Sequence, residues 1–165
     1  MGAGKTTIGR QLARALKVPF YDSDKAIEEH TGVDIPTIFE FEGESGFRKR
    51  ERKIICELAE YNGIVLATGG GVILDEKNRY LLTHHGYVVY LQCSVARILE
   101  RTRKDTQRPL LDTDNPKLQI EKLLSERETL YLACADLIVD TGRLQSKQVV
   151  KDILKAYKTI INSDE

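Results

Sequence analysis

The chain opens Met1-Gly2-Ala3-Gly4-Lys5-Thr6-Thr7, residue types that suit the binding of phosphate. Small residues let an anion reach the backbone, and successive N–H groups at the start of a following helix can surround it. Lys5 reaches the outer phosphates and the Thr6 hydroxyl can hold Mg2+. Gly2, Ala3, Gly4, Lys5, Thr6 and Thr7 are therefore candidate contacts for a nucleotide. A glycine-rich end feeding an ordinary helix, with Lys5 solvated, is the plainer alternative, but it leaves Gly-Lys-Thr at a helix start unexplained. Asp22 and Asp24 form a second group, two carboxylates on one face of an extended segment. Beside a phosphate, one could support Mg2+ through its waters while the other takes a proton from an attacking hydroxyl. Asp-x-Asp before Lys25-Ala26-Ile27-Glu28 would also cap a helix, so the expectation is that one carboxylate caps and the other does chemistry.

Further along, Phe47-Arg48-Lys49-Arg50-Glu51 reads as helix, which puts Arg48 on a face with Glu51 and Arg52. An arginine fork is the natural partner of a planar carboxylate, although surface ion pairing is the usual fate of such a residue. Gly69, Gly70 and Gly71 follow a short apolar run, and three glycines are easiest to justify where a ligand touches backbone. Arg108, in Arg108-Pro109-Leu110-Leu111, ends a basic stretch at a candidate loop, where it could bring a cation over transferring phosphates. Arg127 lies on a helix with a strong apolar face and is expected at its border, its stem covering apolar surface. His30, His84 and His85 have no ligand-like spacing and are read as surface or loop residues.

Short apolar runs must hold these residues in place: Val18 to Tyr21, Ile64 to Ala67, Val88 to Leu91 and Leu137 to Val139 read as buried parallel strands. Between them Ile8, Leu12, Ala15 and Leu16, then Ile54, Ile55, Leu58 and Ala59, then Ile120, Leu123 and Leu124 recur at helical spacing. Alternating strand and helix predicts an α/β fold with ligands beyond the carboxyl ends of the strands, where Asp-x-Asp and the three glycines fall. At 165 residues one domain is expected, with Thr106 to Pro116 as a mobile loop. Lys plus Arg and Asp plus Glu are 25 each, so no net field draws the chain to nucleic acid or an anionic membrane. No run approaches the roughly 18 apolar residues of a spanning helix. Cys56, Cys93 and Cys134 are widely spaced and without CxxC pairing, which fits a reducing cytoplasm.

Taken in order, Gly2 to Gly9, Phe20 to Asp24, Gly46-Phe47-Arg48, Ala67 to Gly71, Arg108 to Leu111, and Arg127 within Glu126 to Tyr131 resemble the shikimate kinase family over nearly the whole chain. The resemblance implies a three-layer P-loop kinase fold, a parallel sheet of order 2-3-1-4-5 flanked by helices, with a mobile lid at about 102–116 and an acceptor-binding helical segment at about 24–62. It implies transfer of the γ-phosphate of ATP to the 3-hydroxyl of shikimate by a cytoplasmic monomer that needs Mg2+. Lys5 and Thr6 would meet ATP and Mg2+, and Asp22 would stand beside the metal. Asp24 would take the shikimate hydroxyl. Arg48 and Arg127 would clasp the carboxylate over Gly69, Gly70 and Gly71. Arg108 would be the lid cation and Arg101 would lie against adenine. Catalysis would thus rest on Lys5, Asp24 and Arg108. The runner-up activities are those of gluconate and nucleoside monophosphate kinases, although a nucleotide acceptor would want a base pocket in place of the three glycines.

The full loop pattern also has a glycine six residues before the lysine and a hydrophobic strand leading in, and neither precedes Lys5. A strand of five apolar residues contributes about 10 kcal/mol, comparable with the stability of a whole domain. The expectation is therefore that strand 1 is absent, that Met1 is an internal methionine of a longer chain, and that the 165 residues alone are poorly soluble or molten, a non-catalytic fragment being the alternative.

Overall fold

The computed structural model describes residues 2–102, 113–142 and 144–162. Four strands alternate with seven helices among them: α1 (Lys5–Leu16), β1 (Phe20–Asp22), α2 (Ser23–Thr31), α3 (Ile35–Leu58), β2 (Val65–Ala67), α4 (Glu76–His85), β3 (Val89–Gln92), α5 (Val95–Thr102), α6 (Pro116–Cys134), β4 (Leu137–Asp140) and α7 (Ser146–Ile161). A 3-10 turn, Val72–Leu74, follows the three glycines. The expected strands are all present, with shifted ends. Val18 is taken into the close of α1, where its N–H bonds the Ala13 carbonyl, and Pro19 has no N–H to give a ladder, so β1 starts at Phe20. Short polar residues start the helices: Asp34 caps α3 through the Thr37 N–H, Asp75 caps α4 through that of Asn78, and Asn115 caps α6 through that of Leu118. α3 is two helices joined at Gly43, whose φ of 66° and ψ of −176° are open to glycine and costly for other residues.

The strands form two parallel pairs. β1 lies on β2 with Asp22 opposite Ala67, and β3 lies on β4 with Gln92 opposite Asp140. In the order 2-3-1-4-5 these are the outer pairs, and among the described residues no strand stands between β2 and β3. Helix α1 does the joining. It packs on β1 and β2, while its Ile8 and Leu12 enter a cluster with Val89, Leu91, Leu137 and Val139 of the other pair and Val149, Val150 and Ile153 of α7. Ile27, Ile38, Phe47, Ile54 and Leu58 seal α2 and α3 against Tyr21 and Leu66. A third cluster sets Ala3, from the opening loop, on Cys93, Ile98 and Ile120. Among the described residues no helix is long and apolar enough to cross a membrane.

Candidate active site

Helix α1 begins without a side-chain cap, and Gly4 before it has φ 86° and ψ 22°, a left-handed conformation that an L side chain resists. Its first bond, from the Ile8 N–H to the Gly4 carbonyl at 2.9 Å, leaves the N–H groups of the first turn without helical partners. They sit at the positive end of the helix dipole, in a turn that carries Lys5, Thr6 and Thr7, the last two exposed. The Thr6 hydroxyl donates to Asp22 Oδ2 at 2.9 Å. Asp22 uses its other oxygen to cap α2, accepting from the Asp24 N–H at 3.2 Å. Asp22 is thus the cap, and the same carboxylate is tied to the loop threonine, which leaves the Asp24 side chain for a different contact.

Asp24 lies against Gly69. A Cβ on Gly69 would stand 2.9 Å from Asp24 Oδ1 and 3.2 Å from Glu51 Oε1, so two carboxylates converge where Gly69 has no side chain. Ser23, fully buried, accepts from the Gly69 N–H and fixes the loop to the start of α2. A Cβ on Gly71 would fall inside the Arg48 guanidinium. At Gly69 and Gly71 the protein's own charged side chains make a close approach to the backbone.

Arg48 Nη1 donates to Glu51 Oε2 at 2.7 Å, and Nη2 and Nε both donate to Glu44 Oε1, at 2.8 and 3.2 Å. The two carboxylates differ in setting: the Glu44 side chain is 45% exposed and that of Glu51 is 1% exposed. Burial pushes the Glu51 carboxyl above its usual range; Arg48 and more weakly Arg127 oppose this, while the Asp24 charge adds to it. Burial acts to lower the Arg48 pKa, yet Glu51 and Glu44 outweigh it and hold the guanidinium charged. Arg52, expected on the same face, turns away to Asp75. Arg127 departs from expectation too. It is 4% exposed, well inside the border of its helix, and its Nε makes no hydrogen bond.

Arg101 donates to the Gly2 carbonyl at 2.9 Å and to the Thr141 carbonyl at 3.0 Å, joining the opening loop to the end of β4. Arg108 and most of the expected lid at about 102–116 lie outside the described residues. His84 stacks on Tyr80, and His30 lies 3.2 Å from the Lys53 ammonium. Sequence reasoning missed Glu51, Ser23, Glu44 and Tyr131. The only signals available for them were the three-residue step from Arg48 to Glu51, the four-residue steps from Glu44 to Arg48 and from Arg127 to Tyr131, and the place of Ser23 inside Asp-x-Asp.

The family model described as shikimate kinase matches residues 1–158. The chain belongs to the shikimate kinase family. It is 55% identical over 158 residues to a shikimate kinase of Methylococcus capsulatus, covering 96% of this chain and 88% of that one. It is 56% identical to one from Thioalkalivibrio sulfidiphilus, covering 96% and 83%. Among solved structures, shikimate kinase from Acinetobacter baumannii in complex with shikimate superposes with a TM-score of 0.93 at 44% identity, over all of this chain and 90% of that one. The Aquifex aeolicus shikimate kinase gives 0.82 at 34% identity over 96% and 92%. Shikimate kinases are phosphotransferases that take ATP, and this family membership decides against the gluconate and nucleoside monophosphate alternatives. The fold is the P-loop kinase fold of that family, parallel strands flanked by helices.

Proposed function

We propose that this chain transfers the γ-phosphoryl group of ATP to the 3-hydroxyl of shikimate with the following division of labour. The N–H groups of residues 2–7 and the Lys5 ammonium hold the phosphates, and Arg101 borders the adenine end. Arg48 and Arg127 take the shikimate carboxylate, which displaces Glu44 from the outer edge of Arg48 while Glu51 keeps hold of the inner one. The Gly69–Gly71 loop forms the floor. Asp24 orients the 3-hydroxyl and accepts its proton as the new O–P bond forms and the bond from phosphorus to the ADP oxygen breaks. Arg108, from the segment at about 102–116, adds a cation over the transferring group.

The observation that carries this reading is the convergence of Asp24, Glu51 and Arg48 on Gly69 and Gly71, with Asp24 two residues along from the Asp22 carboxylate that holds Thr6. Thr6 and Asp22 offer hard oxygen donors, and among the described residues no cluster of three or more His, Cys, Asp or Glu exists that could cage a cation. That donor set fits Mg2+, which keeps waters and takes phosphate oxygens. When bound, Mg2+ would neutralise charge on the transferring phosphates. One domain spanning 1–165, with the acceptor segment at about 24–62, suits this chemistry. The free thiols of Cys56, Cys93 and Cys134 support a cytoplasmic enzyme, and the family resemblance supports a monomer.

Asp24→Asn tests the assignment closest to the chemistry. It keeps the size but cannot accept the proton, so kcat should fall by roughly 10²- to 10⁴-fold while the KM for ATP and the Tm stay near those of the parent. The α2 cap belongs to Asp22, which this change leaves intact. A kcat within about threefold of the parent, well below the general-base range, would move the proton-accepting role off Asp24.

A further inference from the structure

Tyr131 lies one turn beyond Arg127 on α6, the i to i+4 step that sets two side chains on one face. Its hydroxyl donates to the Gly70 carbonyl at 2.5 Å, across 61 residues of sequence. Its ring stacks on Tyr90 of β3, with centroids 4.8 Å apart and planes 17° from parallel, and packs with Ile55, Val72 and Ile73. Burial pushes the phenol pKa up, and the Arg127 guanidinium beside it draws the value down through its charge and hydrogen bonding. The hydroxyl has one proton and gives it to Gly70, so toward Arg127 it presents a lone pair. Arg127 is buried with an Nε that has no hydrogen bond, and a buried cation in that state depends on its few neighbours for its orientation.

We propose that Tyr131 is a positioning residue for the acceptor: its hydroxyl links Gly70 to Arg127 and so fixes both the glycine loop and the buried arginine for the shikimate carboxylate. The stack on Tyr90 is what makes the link stiff, because it anchors the phenol to a strand of the other sheet pair. Tyr131 itself touches neither substrate nor phosphate in this proposal. The inference rests on the assignment of Arg127 to the carboxylate.

Tyr131→Phe keeps the ring and its stack and removes only the hydroxyl. Its KM for shikimate should rise about fivefold, the fold-change of one ordinary hydrogen bond, with kcat and the ATP KM within about twofold of the parent. With the methyl ester of shikimate, which lacks the anion, the same substitution should have little effect. An unchanged shikimate KM would overturn the proposal. So would an equal loss for acid and ester accompanied by a large drop in Tm, since that is the pattern of a structural residue. Arg127→Gln serves as the reference. If it leaves the shikimate KM unmoved, the carboxylate assignment fails and takes this proposal with it, whereas a raised KM there and none in Tyr131→Phe removes this proposal alone. Should the Phe variant not fold, NMR of the unaltered chain still decides. Separate Nη resonances for Arg127 are expected from hindered rotation, and a single averaged resonance would overturn the link.

Discussion

The side of the site proposed for phosphate is built of backbone: Gly2 and Gly4 at φ 61° and 86° and the N–H groups at the start of α1. The side proposed for the acceptor is built of side chains packed on one another and on the glycine loop: Arg48 is held by Glu51 and Glu44, Asp24 and Glu51 lie against Gly69, and the loop is held by Ser23 and Tyr131. The difference follows from the ligands. A polyphosphate presents many equivalent oxygens, and a row of oriented N–H dipoles satisfies them without choosing among them. A small hydroxy acid has one carboxylate and several similar hydroxyls, so recognition needs a rigid fork at a fixed distance from one base. The chain therefore spends glycine on both sides for opposite reasons: at Gly4 to bend the backbone, and at Gly69 and Gly71 to let side chains come close.

Two substitutions should separate the halves kinetically. Gly4→Ala forces a Cβ into a left-handed position at a cost of about 1 to 2 kcal/mol, so the ATP KM should rise about tenfold and stability fall by a similar energy, with shikimate KM nearly unmoved. Arg48→Lys keeps the charge and loses the fork, which should raise the shikimate KM about tenfold and leave ATP untouched. If either variant raises both KM values together, the two halves are not independent.

Glu51 gives a pH signature confined to the acceptor half. Its folded carboxyl is held above the ordinary value of 4.5, so between that value and the folded one the native state binds more proton than the unfolded chain. Its contribution to stability is full below about pH 4.5 and is lost as pH rises through the folded value. Glu51→Gln removes that slope, and the Tm difference between variant and parent should shift in favour of the variant from pH 4.5 upward. Parallel Tm profiles would show that Glu51 ionises as an ordinary carboxylate. The smallest effect belongs to Glu44, the exposed partner of Arg48 that the proposed carboxylate clasp would displace. Glu44→Gln should lower the shikimate KM about twofold at low salt, with the gain fading at high salt, as surface pairs do. A raised KM would mean that Glu44 helps to orient the fork rather than competing for it.

How much of this the sequence reveals depends on how local each cause is. The strands are visible because apolar runs and their Gly or Asp ends are local, and β1 misses its expected start only through Pro19 and the capture of Val18 by α1. The phosphate loop is visible for the same reason. Glu51 is not, because Arg48 to Lys53 reads as a solvated charged face, and its contact with the Gly69 loop comes from far along the chain. Arg127 looks like a border residue on its own helix and becomes buried only when α6 meets the turn after β2. Asp22 and Asp24 are interchangeable as a pattern, and only the backbone path out of β1 decides which of them caps α2.

Helix α1 follows the loop proposed to hold ATP and, through Ile8 and Leu12, fastens one strand pair to the other along its length. Ligand binding and cohesion of the two halves therefore draw on a single free energy. By mass action, a nucleotide at a hundred times its Kd adds about 2.7 kcal/mol to the folded state, and in this architecture that increment falls on a helix that packs against both sheet pairs. In a cell rich in ATP the enzyme's resistance to unfolding becomes a function of the energy charge, so that the same metabolite supplies the phosphoryl group and sets the lifetime of the fold that transfers it.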